Sequence, residues 1–286
     1  MSNIRKGFLY AAYVLVATFF FVYYLFPADA AKKYISGNLT ATHPELNITI
    51  DRVTLTFPPG LRLQAITFYH RDALLLKAEQ IKIVPGYLSL FSPAVDFAFK
   101  GRAYAGLLEG RGNITKNRTA RQIMTVARFS GIQIGKIAAI QDLAGRKISG
   151  LLEGKAEYNF SQKSSGNLSA ELALSDCEIG LTAPFFNLDT FSFSKIEAEV
   201  ALNYQQLRIK KCIIKGNQME GNFNGSAILK NPVNKSVLNI SGTVTLQPLL
   251  SSKLGSILPG NKKISGKKGF SVRLSGTLDK PEILIP

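Results

Sequence analysis

The chain has 286 residues, 46% of them apolar, enough for one large domain or two ordinary ones with a sizeable core. Its 35 basic and 19 acidic residues give a net charge of +16, which suits anionic partners such as lipid headgroups, acidic polysaccharide or nucleic acid. With no Trp, two His and two Cys, the composition argues against metal-centred or nucleophilic chemistry.

The first element is the uncharged, proline-free run Phe8–Phe26, "FLYAAYVLVATFFFVYYLF". Nineteen helical residues come close to the ~30 Å hydrocarbon thickness of a bilayer. Tyr10, Tyr13, Tyr23 and Tyr24 lie near its ends, where amphipathic rings favour the headgroup level. "ADA" at Ala28–Ala30 looks like a signal-peptidase site, but the apolar run exceeds a signal core, so an uncleaved anchor is expected. Arg5 and Lys6 precede it, which puts residues 1–7 in the cytoplasm, 8–26 in the membrane and the rest outside; Lys32 and Lys33 weaken that asymmetry. Residues 27–46 read as a linker with helical potential.

From residue 47 onward the period becomes two. Val95, Phe97, Phe99, Ala103 and Ala105 share a face opposite Asp96, Lys100 and Arg102. Ile148, Leu152, Ala156, Tyr158 and Phe160 do the same opposite Glu153, Lys155, Glu157 and Asn159. The scheme continues through Leu168–Leu174, Ile196–Tyr204, Phe223–Leu229, Leu238–Leu246 and Val272–Leu278, with Asn, Gly, Ser and Lys clusters between runs. "GLLEG" occurs at Gly106–Gly110 and Gly150–Gly154, both times inside an alternating run. It therefore reads as a repeated sheet-building piece rather than a phosphate loop. Two stretches depart from alternation: Ile134, Ile137, Ile140 and Leu143 have helical spacing with Gly145 as a stop, and Leu246–Gly260 reads as a short irregular helix.

The fold expected is mainly β: a single N-terminal transmembrane helix, then a long antiparallel meander with one or two short helices. Too few helices are predicted to cover one face of so many strands. The remaining choices are two sheets packed as a sandwich, or one curved sheet around an apolar groove lined by Phe97, Phe99, Leu152, Tyr158 and Phe223.

Catalytic motifs are lacking. His43 and His70 are isolated from ligand-spaced partners, and there is no P-loop or nucleophile elbow. Glu109 and Glu153, each followed two residues on by a cation, read as ion-paired strand residues. Cys177 and Cys212 fall on separate predicted strands and either form one disulfide or remain two small unpaired hydrophobes. Lys262, Lys263, Lys267 and Lys268 form the one dense basic cluster, a solvated turn or an anionic-headgroup contact. It lacks the aromatic platforms of single-strand binders, so nucleic acid is not an expected partner.

The "FP" closing the anchor, "FPPGLRLQAITF" at Phe57–Phe68, and "KAEQIKIVPGYLSLFSPAVDFAFKGRAYAGLLEGRGNI" at Lys77–Ile114 together resemble the type II secretion system protein N family. "RLSGTLDKPEILI" at Arg273–Ile285 resembles the closing piece of the broader AsmA-like group. The resemblance implies a single-pass protein of the bacterial inner membrane whose AsmA-like β-sheet lies in the periplasm. Its role would be that of a non-enzymatic accessory of type II secretion, scaffolding other secretion-system proteins without a cofactor. The alternative it implies is a carrier holding phospholipid in an apolar β-groove between membranes.

Overall fold

A computed structural model describes residues 2–42, 46–57, 59–70, 73–117, 120–161, 164–185, 188–247 and 269–285. Its helices are α1 (Ser2–Tyr24), α2 (Ala28–Thr42) and α3 (Ala138–Ala144). Its strands are β1 (Leu46–Thr56), β2 (Gly60–His70), β3 (Ala73–Pro85), β4 (Ala94–Ala103), β5 (Gly106–Asn117), β6 (Ala120–Gln133) and β7 (Ile148–Ser161). They continue as β8 (Ser164–Phe185), β9 (Leu188–Asn203), β10 (Gln206–Gly216), β11 (Met219–Ile228), β12 (Val237–Leu246), β13 (Phe270–Thr277) and β14 (Lys280–Leu284).

All fourteen strands belong to one sheet, in chain order and antiparallel throughout. The sandwich alternative therefore does not hold among the described residues. Thirteen interstrand spacings make the sheet about 60 Å wide along its surface. One layer leaves much of the chain in contact with solvent: its accessible surface is 19382 Å², against about 12,000 Å² for a compact chain of this mass. "GLLEG" lies wholly within β5 and, in its second copy, within β7. Ala105 departs from the expected alternation. With Tyr104 it makes the β4–β5 turn at positive φ (65° and 51°), so β4 ends at Ala103.

The buried core lies at the β1 end. Ile48, Val53, Leu63, Ile66, Ala78, Ala103, Tyr104 and Ile132 form one cluster, and Phe26, Ala31 and Ile35 from the α1–α2 corner and α2 pack on it. The linker is thus a helix that lies along β1 and roofs the first strands. A second cover comes from the segment of helical spacing, which splits into a 3-10 turn at Ile134–Lys136 and α3. Gly145 ends α3 in the left-handed region at φ 62°, where its amide donates to the Gln141 carbonyl. The Gln141 side chain fills the gap at the start of β7. Its Nε2 donates to the carbonyls of Ile134 (3.3 Å) and Ile148 (2.8 Å), and its Oε1 accepts from the Ile148 amide (2.9 Å). α3 reaches both β3 and β7, four spacings apart, or about 19 Å on a flat sheet, so the sheet curls between them.

α1 is a continuous 23-residue helix. Side chains at 2–5, 19 and 22 fall outside the described ones, and over the described residues no helix is long and apolar enough to cross a membrane. The segment expected to be irregular helix, Leu246–Gly260, is described only to Gln247, where it ends β12.

Candidate functional site: the apolar face of the sheet

In an antiparallel ladder, directly paired residues point to the same side of the sheet. The register can therefore be followed from edge to edge. Starting in β1, it links Leu55, Leu61, Ile83, Phe99, Gly110, Ala127 and Ala156. It continues through Ala170, Val200, Ile209, Gly225, Ile240, Leu274 and Ile283. Every strand contributes one residue to this row and none is polar. On the opposite face, Arg62, Lys82, Lys100, Glu109, Arg128, Lys155, Glu171, Glu199 and Lys211 are successive partners across β2–β10, and every one is charged. Register converts alternation within each strand into two chemically opposite surfaces.

The five residues predicted to line a groove share the apolar face. Phe99 belongs to the row on β4 with Phe97 beside it, Leu152 and Tyr158 flank the row on β7, and Phe223 flanks it on β11, all half-buried. The middle of the row is low, because β5–β8 supply Gly110, Ala127, Ala156 and Ala170.

Glycines set the height of this floor. Phe97 is paired with Gly112, Phe99 with Gly110, Phe129 with Gly154 and Phe223 with Gly242. In each pair the ring lies over its glycine, and a Cβ built there would run into the ring. The rings therefore lie along the sheet instead of standing up from it, an arrangement that also shields the glycine backbone. Phe97 and Phe99 are 6.3 Å apart between ring centroids. The result is a shallow apolar trough with its side chains laid down. Phe129 and the Phe–Gly pairing were missed in the sequence. The signal was present, since "ARFSG" alternates as its neighbours do, but pairing it with Gly154 needs the register.

The remaining predicted site residues do not come together. Cys177 pairs with Phe193 and Cys212 with Ala198, both on β9. The two cysteines thus sit on β8 and β10, about 10 Å apart across the sheet and five positions apart along it, roughly 16 Å. A disulfide needs Cα atoms within about 7 Å, so of the two alternatives the bridge fails and the cysteines are two free thiols. Burial pushes both thiols above the usual cysteine range, with Glu178 adding to the effect at Cys177. Lys262, Lys263, Lys267, Lys268 and His43 lie outside the described residues; His70 ends β2.

The charged face holds ion pairs rather than a reaction centre. Glu109 meets Lys100 at 3.6 Å, Lys155 meets Glu157 at 2.5 Å, and Glu199 meets Lys210 at 2.6 Å. Lys195 hydrogen-bonds Glu197 and holds its carboxyl below the ordinary range. An open cleft of about 640 Å³ on this face is walled by Lys82, Lys100, Arg111 and Arg128, with Glu109 as the one carboxylate. Among the described residues no three His, Cys, Asp or Glu side chains are placed to hold a metal.

Comparison of the chain with protein-family models, with curated proteins and with solved structures finds no match. Fold and face together define a structural class all the same: a single-layer antiparallel meander, apolar on one side, charged on the other, roofed by helices at one end.

Proposed function

We propose that this chain is a membrane-tethered, non-enzymatic lipid carrier whose apolar sheet face holds acyl chains. The observation that supports this best is the row of apolar residues from Leu55 to Ile283, combined with helices that, among the described residues, roof only the β1 end and the β3–β7 curl. Apolar surface left in water is unfavourable by about 25 cal/mol per Å², and monomeric proteins rarely expose patches beyond a few hundred Å². Acyl chains lying across the strands would remove that surface without any pairing of polar groups. α1 is the tether in this reading. Its whole-sequence run Phe8–Phe26 is uncharged, a 23-residue helix is about 34 Å long, and Phe8, Leu9, Tyr13 and Leu15 are exposed. The sheet would then lie on the non-cytoplasmic side of a bacterial inner membrane. This is the AsmA-like alternative implied by the sequence.

Photo-crosslinking with a phospholipid carrying a diazirine in its acyl chain tests the assignment. Adducts should concentrate on peptides containing Tyr158, Leu172 and Phe223. Equal labelling of the charged face, or purified protein that carries no phospholipid, would sink it.

A second reading, scaffolding within the type II secretion system, has one observation in its favour. Among the described residues β14 is an edge of the sheet, and Ile283, Leu284 and the following Ile285 are all more than half exposed. Unpaired edges accept partner strands. A photo-crosslinker at Ile283 that yields protein adducts in cells, and no lipid adducts, would favour it.

A further inference from the structure

We infer that two loops beside the end of α1, carrying Phe57, Tyr87 and Leu88, dip into the outer leaflet of the bilayer that anchors the chain and hold the trough against the membrane surface; this rests on the reading of α1 as the anchor. The placement begins with one hydrogen bond. α2 runs away from the end of α1 and β1 returns beside it, so the far end of β1 comes back to α1: Tyr23 Oη, in the last turn of α1, donates to the Leu55 carbonyl (3.2 Å). The β1–β2 turn therefore sits where the helix leaves the hydrocarbon.

That turn and the neighbouring β3–β4 connection present apolar tips. Phe57 is 78% exposed and Leu88 93%, with Tyr87 beside it at 43%. Turn tips in water ordinarily carry Gly, Pro, Asn, Asp or Ser, as Pro59, Gly60 and Gly86 do here, and Phe57, Tyr87 and Leu88 depart from that rule. Hydrogen bonds tie the described backbone beside these tips. Lys82 Nζ donates to the Phe57 carbonyl (3.2 Å), and Tyr87 Oη to the Pro59 carbonyl (2.9 Å). Ser89 Oγ donates to the Gly86 carbonyl (2.7 Å) and accepts from the Asp96 amide (2.9 Å), closing the second loop. Behind the tips, Arg62, Lys82 and Lys100 are direct partners on β2–β4, three adjacent cations; of the nearby carboxylates, Glu109 meets Lys100 at 3.6 Å and Asp96 accepts a hydrogen bond from Asn113. Apolar tips backed by cations match an interface of acyl chains beneath anionic headgroups.

The absence of tryptophan from the chain permits a direct test. Three full-length proteins, Leu88→Trp, Val16→Trp and Leu143→Trp, would each carry one reporter. They place it at the loop tip, within α1, and on exposed α3 at the opposite end of the strands. Each is reconstituted in vesicles of phosphatidylcholine with a minority of phosphatidylglycerol, doped with doxyl lipids labelled near the headgroup or deep in the chain. Leu88→Trp should shift to the blue and lose emission to the shallow label, Val16→Trp to the deep label, and Leu143→Trp to neither. Leu88→Trp emission that ignores both labels while Val16→Trp is quenched overturns the docking proposal with the anchor intact, and leaves the loops to a protein contact. Failure of Val16→Trp to quench overturns the anchor itself. Unchanged circular dichroism verifies that each variant is folded, which an exposed position such as Leu88 allows.

Discussion

The two halves of the sheet have the same sequence grammar and different physical fates. At the β1 end the apolar face is roofed: α2 lies along β1, α3 bridges the curl at one end of β3–β7, and Val53 and Ile66 are 1% exposed. From β8 to β14 the alternation is as regular, yet Leu172, Val200, Phe223 and Ile240 stay half-buried, with no helix of the described residues forming a second layer above them. Alternation creates a face that avoids water. Whether that face becomes core or binding surface depends on what is laid over it.

That contrast can be broken by mutation. Ile66→Ala at the roofed end should remove about 3 kcal/mol of stability, because its cavity cannot collapse, whereas Leu172→Ala in the open run should remove about 1 kcal/mol. Urea unfolding of the full chain in detergent reads both, and equal losses would mean that the open face is packed after all.

Crowding the trough floor should give a smaller difference of the same sign. Gly154→Val pushes into the Glu171 carbonyl and into Phe129, which packs on the buried core, while Gly242→Val pushes into the Asn222 carbonyl and into Phe223 on the open face. We expect about 3 kcal/mol for the first and about 2 kcal/mol for the second, since both displace a strand carbonyl and only the ring with free space above it can swing away. The same melts compare them, and a larger loss at Gly242 would reverse the ranking.

Detaching the roof tests it from the other side. Gln141→Leu keeps the helix but strands the Ile148 amide and carbonyl, for a loss of about 1–2 kcal/mol. Hydrogen exchange should accelerate at the start of β7 and leave β12 unchanged.

The smallest effect belongs to the far edge. Lys235 Nζ (2.6 Å), and then the Thr277 hydroxyl, hydrogen-bond Asp279 and pull its carboxyl down to about 2 from an ordinary 3.8. A depressed acid stabilises the fold above its unfolded value, and that contribution is lost as pH falls through the folded one. Protection of β14 amides should therefore decline between about pH 4 and pH 2, and Asp279→Asn should flatten that decline. An identical pH profile in the variant would place the titrating group elsewhere.

Much of this architecture was legible because period two is a local property. Val95, Phe97 and Phe99 declare a face without reference to any other strand, and Gly145 ends its helix by backbone geometry alone. Ala105 misled because a turn interrupts alternation without changing residue type. Cys177 and Cys212 stayed undecided between bridge and free thiols because presence on two strands says nothing of how far each slides along the strand between them.

By itself, then, the sequence determined which side of each strand avoids water, since side chains alternate with the backbone pleat. Tertiary structure alone decided that the fourteen sides align into one surface, that rings lie down over glycines facing them from another strand, and that the helices of the described residues cover one end and not the other. Those outcomes depend on register and curl, which arise from pairing between residues distant in the chain.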